Sequence, residues 1–260
     1  MRRPPTLIAL ATACLLGTPA LAQFDADGAL MRSYTNTLIN TQVRERLLGI
    51  DSSRQSKKPA GRNGPQAGSP AQRPRASAHA AAPGGNTRYT SSPAVKARVR
   101  AQFLALVRRT SGEAAARAVG ASMAQHDPLA LWASHNAIDG MRLGDVADVM
   151  AEYWAMQWQM ANRIESVEPV KVQGVRRMMA AALLSSPGFP TLSDAQRQEM
   201  AENLIYNQLL QGDAYVLAAK RGDPSLMRQV SDAAAARFRA NLGMDPRALA
   251  ITPAGFAPRR

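Results

Sequence analysis

Cysteine is almost absent from this chain: Cys14 is the only cysteine in 260 residues. It lies within the first 22 residues, which have the features of a segment that is removed on export. A mature chain beginning at Gln23 has no disulfide, no thiol nucleophile and no thiolate metal ligand. Its fold must therefore depend on a packed core of sufficient size.

The N-terminus predicts a secretory signal peptide over residues 1–22. Arg2 and Arg3 provide a short positive region, residues 6–16 are apolar, and residues 20–22 form the small-x-small pattern that signal peptidase recognises. Two alternatives are an uncleaved membrane anchor and a lipoprotein acylated at Cys14. The apolar run is shorter than the roughly 20 residues that a spanning helix needs. We therefore expect a periplasmic or extracellular protein with no transmembrane segment in the mature chain.

Histidine and the common catalytic motifs are also scarce. The chain has three histidines and no Gly-x-Ser-x-Gly, His-Glu-x-x-His or Gly-rich phosphate loop. We therefore predict no metal, no cofactor and no catalytic residue. The best pair of carboxylates for cutting a glycosidic bond is Asp148 and Glu152, one helical turn apart. Both are predicted to lie on a solvated face and to stay ionised, which a general acid does not do.

Acidic residues are too few to balance the basic ones, and the net charge is +13. The excess lies mainly outside the segment with a folded composition: residues 51–92 contain seven Lys or Arg and one acidic residue, whereas residues 93–245 are almost neutral. A nucleic-acid-binding domain carries its basic residues on a folded face. This distribution argues against nucleic acid as a partner, although polyanion binding through the linker and tail is a further alternative.

The chain before residue 93 divides into two predicted parts after the signal. Residues 23–50 predict an amphipathic helix with one apolar face, formed by Ile39, Val43, Leu47 and Ile50. This face could dock on the protein's own main domain or bind another protein. Residues 51–92 are rich in Ala, Ser, Gly and Pro, and they predict a disordered basic linker.

Residues 93–256 predict one all-α domain, a bundle of about six helices, followed by a tail at 257–260. Four helix starts are indicated by capping patterns, which are Thr110 to Glu113, Asp127-Pro128, Ser193 to Gln196 and Asp223-Pro224. Gly222 and Gly243 mark helix ends. No strand is predicted, and Leu249, Ile251 and Phe256 should fold the tail back onto the bundle.

The helix over about 143–164 is apolar around most of its circumference, so it should be central to the bundle. Two glutamines interrupt apolar faces: Gln157 lies near Tyr153 on a helical wheel, and Gln208 lies near Tyr215. An unpaired buried amide costs about 1–3 kcal/mol, so each glutamine should have a partner. The alternative is that these four residues line a small-ligand pocket between helices.

Three groups of residues are similar to the signature of a family of exported bacterial proteins that is catalogued as a domain of unknown function. The first is Leu143-Gly144-Asp145-Val146-Ala147-Asp148 with Glu152-Tyr153-Trp154 and Trp158. The second is Ala201-Glu202 with Leu204 and Tyr206, and the third is Leu242-Gly243-Met244-Asp245 with Ile251-Thr252 and Gly255-Phe256. The resemblance covers about residues 88–256. It implies export and a helical domain, and it implies no chemistry.

These observations favour a non-enzymatic exported helical protein that binds a protein or an envelope component. The alternative is an envelope-acting hydrolase with a site between helices.

Overall fold

The computed structural model describes residues 85–259, which form a helical domain. The predicted signal peptide, the predicted helix at 23–50 with its apolar face, and the predicted linker up to residue 84 lie outside the described residues. The described part contains seven α-helices, where about six were predicted. They are α1 (Pro93–Ser111), α2 (Glu113–Gln125), α3 (Pro128–Asn136), α4 (Val146–Asn162), α5 (Pro169–Ser185), α6 (Asp194–Arg221) and α7 (Pro224–Leu242). The all-α prediction is confirmed.

Three of the four predicted helix starts are confirmed by their hydrogen bonds. Asp127 and Asp223 accept backbone N–H groups at the starts of α3 and α7. Ser193 and Gln196 form a reciprocal capping box at the start of α6. The Thr110 prediction is wrong: its hydroxyl donates to the Leu106 carbonyl one turn back, and the helix break falls at Gly112. A threonine hydroxyl that bonds within its own helix is not available as a cap.

The helix α4 is the centre of the bundle. It packs against α5, α6 and α7, and 14 of its 17 residues are buried. An aromatic chain runs outward from it, with Trp154 edge-on to Phe238 of α7 at 5.5 Å and Phe238 edge-on to Phe256 at 5.3 Å. The core therefore connects the central helix with the C-terminal segment.

The C-terminal segment folds back onto the bundle, as predicted, but as a β-hairpin. Strands β1 (Leu249–Thr252) and β2 (Gly255–Pro258) pair antiparallel and pack on α5. The Trp158 indole N–H donates to the Leu249 carbonyl at 2.9 Å. Four residues are at the lower limit of the length over which an alternating pattern indicates a strand, so the sequence signal is weak.

The packed part of the chain begins before the predicted boundary at residue 93. Thr87 and Tyr89 are buried. Their backbones pair with the loop before α4, where Tyr89 N–H donates to Gly144 and Val146 N–H donates to Thr87, both at 2.9 Å. Residues 85–92 have a linker-like composition, but they lie against the domain. Among the described residues, no helix combines the length and the apolarity that a membrane crossing requires.

Candidate functional site

The start of α4 holds two buried aspartates and a partly buried arginine. Asp145 is the N-cap residue, and its Oδ1 accepts from the Ala147 N–H at 2.9 Å and from the Thr87 hydroxyl at 2.5 Å. A carboxylate at a helix N-terminus satisfies free N–H groups and interacts favourably with the helix dipole. Asp145 thus starts the central helix and fixes residue 87 to it.

Arg176 of α5 joins the two aspartates. Its Nε donates to Asp148 Oδ1, and its Nη2 donates to Asp145 Oδ2 at 3.2 Å. The other oxygen of Asp148 accepts from the backbone N–H of Arg142 at 3.0 Å. We call Asp145, Asp148 and Arg176 the acid–arginine cluster. Every carboxylate oxygen in this cluster has a donor.

The prediction that Asp148 and Glu152 lie on a solvated stripe is wrong. Asp148 is fully buried and Glu152 is 7% exposed. Burial raises the pKa of Asp148, although the Arg176 guanidinium and the Arg142 N–H favour its charged form. The helix that provides Arg176 lies 20 or more residues further along the chain, so the wheel of α4 alone could not show that its polar stripe faces a neighbouring helix.

A second polar network lies in the core between α4, α6 and α7. Gln157 is fully buried, its amide donates to Gln211 Oε1, and its Oε1 accepts from Arg237 Nη1 at 3.0 Å. Gln211 and Arg237 are each 7% exposed. The network therefore links three helices through a buried cation.

The other predicted pocket residues have different neighbours from those of Gln157. Gln208 is 8% exposed and accepts from the Trp132 indole N–H at 2.9 Å, which joins α6 to α3. Tyr153 is buried beside Trp154, with ring centroids 4.9 Å apart. Tyr215 is half-buried and packs on a second cluster around Met160 and Val230. Both glutamines thus have side-chain partners that the prediction did not name, and their role as pocket residues stays a prediction.

A third polar group, which sequence reasoning missed, lies at the N-terminal half of α6. Glu202 is 2% exposed, and its Oε1 accepts from Gln198 at 2.8 Å. Gln198 also pairs with both backbone groups of Ser92. Among the described residues, Glu202 Oε2 has no partner. Burial raises the pKa of Glu202. The pKa of Tyr206 is also raised, mainly by burial and to a smaller extent by the negative charge of Glu202.

Asp213 of α6 is half-buried, with one carboxyl oxygen fully buried, and the sequence did not indicate it. Burial raises its pKa to about 7, against a weaker opposing effect of Lys220. Its Oδ2 has no hydrogen-bond partner within the described part of the chain. Arg237 could have been found by its position, since it lies three residues after Ala234 and seven after Val230 on a buried face. Asp213 is between Gly212 and Ala214 and gave no such signal.

Metal ligation has little support in this geometry. Within residues 85–259, no three His, Cys, Asp or Glu side chains converge as a metal site requires. The acid–arginine cluster already has a cation in the place that a metal would take.

Comparison with known proteins gives a family and no activity. No curated protein and no solved structure matches the chain. A family described as "Family of unknown function (DUF6683)" matches residues 1–259, which is nearly the full length and includes all three groups of signature-like residues. The chain therefore belongs to DUF6683, a family of unknown function.

Proposed function

We propose that this protein is a non-enzymatic, exported bacterial protein that acts in the periplasm or outside the cell by binding a protein or another envelope component. The helical domain is the rigid part, and the segment 24–50 is the binding element. Support for export comes from the signal-like residues 1–22. Support for binding comes from the apolar face of Ile39, Val43, Leu47 and Ile50.

One observation carries the preference for binding over catalysis. The best carboxylate pair for hydrolysis includes Asp148, which is fully buried and bonded to Arg176 and to the Arg142 N–H. A carboxylate that is occupied in this way cannot reach a sugar or an attacking water. The most distinctive acidic residues of the signature therefore support the structure.

The test is site-specific photo-crosslinking in intact cells. A photoreactive phenylalanine analogue replaces Leu47 in one variant and Thr41, on the opposite side of the predicted helix, in the control. We expect a covalent adduct with one envelope partner from position 47 and a much weaker one from position 41. Equal labelling from both positions, or adducts with many unrelated proteins, would reject a specific binding face. Fractionation of the same cells tests export. Recovery of the protein in the cytoplasmic fraction would contradict it.

A hydrolase is a second candidate, and Glu202 is the observation that favours it. Burial raises the pKa of Glu202, and one of its oxygens has no partner among the described residues. A general acid also has its pKa raised by its surroundings. The test is hydrolysis of cell-wall material by the purified chain and by Glu202→Gln. Activity that is lost in the variant, while the fold is retained, would replace the binding proposal.

A further inference from the structure

The segment before α1 lies across the domain as an extended arm. Residues 86–90 lie outside the helices, and their side chains alternate: Thr87 and Tyr89 are buried, whereas residues 86, 88 and 90 are exposed. This alternation is that of a strand with one face against a surface. We call residues 86–90 the arm.

The loop before α4 holds one side of the arm by its main chain. The Tyr89 N–H donates to the Gly144 carbonyl at 2.9 Å. The Val146 N–H donates to the Thr87 carbonyl, also at 2.9 Å. The two bonds flank an antiparallel β-bridge. The arm is therefore bound to this loop in the way that an added peptide strand binds a sheet edge.

Side chains from the start of α6 hold the other side of the arm. The Asp194 carboxylate accepts from the Thr90 N–H at 3.0 Å. Arg197 Nη1 donates to the carbonyls of residues 86 and 88, at 3.3 and 3.1 Å. These partners bind backbone atoms, which every extended peptide offers. We call residues 144–146 with Asp194 and Arg197 the arm groove.

Two side chains of the arm add selectivity to these backbone bonds. The Thr87 hydroxyl donates to Asp145 Oδ1 at 2.5 Å, and Tyr89 belongs to the main apolar core. A ligand of the arm groove is thus an extended peptide in which an aromatic residue follows a hydroxyl residue by two positions. A second copy of this chain carries the segment that the structure shows to fit.

One exposed residue, Ser91, connects the arm to the fixed start of α1. Ser92 is the N-cap of α1, and Gln198 binds both of its backbone groups, at 2.7 and 3.0 Å. The start of α1 therefore stays in place when the arm leaves its groove. A short hinge limits the ways in which the arm bends back onto its own domain, and this favours exchange between copies.

We propose that two copies of the chain exchange their arms, so that the arm groove of each copy holds residues 86–90 of the other. The arm and the groove are unchanged by the exchange, so each bond described above forms equally well between two copies. Only the course of the chain at Ser91 differs. The dimer is symmetric, since each copy gives one arm and receives one, and it becomes more abundant as the protein concentration rises.

The absence of other thiols makes the test direct. Two full-length chains, both with Cys14→Ser, carry either Gly85→Cys, next to the arm, or Leu184→Cys. A Cβ on Gly85 would lie 3.4 Å from Leu184 Cδ2, so a bound arm holds these two positions together. The chains are mixed at high concentration, diluted and treated with a short bismaleimide. The control mixture replaces Leu184→Cys with Gln229→Cys, an exposed residue of α7.

We expect roughly ten times more 85–184 product than 85–229 product, because a bound arm holds its thiol at a millimolar effective concentration near position 184. Mass spectrometry of the linked peptides identifies each product. Equal yields in the two mixtures would overturn the exchange.

A longer hinge provides the second arm of the test. Insertion of Gly-Gly-Gly after Ser91 in both chains lets each arm return to its own groove, so the 85–184 product should fall to the level of the control. A product that the insertion leaves unchanged would overturn the exchange in favour of two copies that associate with their arms in place. Partner adducts from position 47 in cells do not depend on this result, so arm exchange and partner binding are tested separately.

Discussion

The buried side-chain amide of Gln157 forms hydrogen bonds with two other buried side chains, so its removal affects both of them. Gln157→Ala leaves Gln211 and Arg237 without one bond each in the core. Because an unsatisfied buried group costs about 1–3 kcal/mol, we expect the free energy of unfolding to fall by about 2–3 kcal/mol in denaturant titration. Gln159→Ala, on a half-buried position of the same helix, is the matched control and should change it little. A similar loss in both variants would contradict a specific network.

Asp213 predicts an unusual pH dependence of stability. Its pKa is raised to about 7 by burial, so the folded state favours the protonated form more than the unfolded state does. The stability that this preference gives is complete below about pH 4 and is lost as the pH rises through about 7. Asp213→Asn removes the dependence.

We expect Asp213→Asn to match the parent protein at pH 4 and to be more stable at pH 8. A pKa shift of one unit corresponds to about 1.36 kcal/mol, which sets the upper limit of the difference in unfolding free energy at pH 8. Because solvent reaches the half-buried side chain, we expect a smaller difference of about 2 kcal/mol. Asp232→Asn is a control whose pH dependence should have the opposite direction. Arg247 lowers the pKa of Asp232, so the pairing of these two residues is lost only at low pH. Parallel pH profiles for parent and Asp213→Asn would show that the carboxyl is not protonated in the fold.

At the scale of elements, the helices and their ends were largely predictable, because capping and apolar periodicity are local. Asp127, Ser193 and Asp223 start their helices as predicted. The acid–arginine cluster was not predictable, because the environment of Asp148 is set by Arg176 on another helix. The hairpin was missed for a related reason, since its strands are defined by packing on α5.

Two helical glycines should respond to alanine in opposite ways. A Cβ on Gly174 of α5 would lie 2.5 Å from the Pro253 carbonyl oxygen, so Gly174→Ala must displace the hairpin. Overpacking of this kind costs about 1–3 kcal/mol. A Cβ on Gly120 of α2 meets only Leu104 side-chain atoms, the nearest at 3.7 Å. Gly120→Ala should therefore stabilise by up to about 1 kcal/mol through helix propensity.

Thermal unfolding of the two alanine variants measures this difference. A lower midpoint for Gly174→Ala and a higher one for Gly120→Ala are expected. Equal midpoints would mean that the hairpin does not approach α5 as closely as the structure has it.

At the scale of the whole molecule, the domain begins where the chain first pairs with the start of α4. A chain that begins at residue 85 should unfold cooperatively. One that begins at residue 93 loses the buried Tyr89, the Thr87 bond to Asp145 and two backbone bonds. We expect the shorter chain to be about 2–4 kcal/mol less stable in denaturant. Equal stability would place the boundary at 93, as composition alone predicted.

The proposed function assigns the signature acids to support of the fold and assigns partner binding to the N-terminal segment. The most direct measurement compares Val43→Asp with Asp148→Asn, using the yield of the partner adduct from position 47 in cells and the unfolding midpoint of each purified variant. We expect Val43→Asp to abolish the adduct with the midpoint unchanged. Asp148→Asn should lower the midpoint, because it removes one partner of a buried charge pair, and should retain the adduct while folded. Loss of the adduct in Asp148→Asn at an unchanged midpoint, with the adduct retained in Val43→Asp, would contradict both of these assignments.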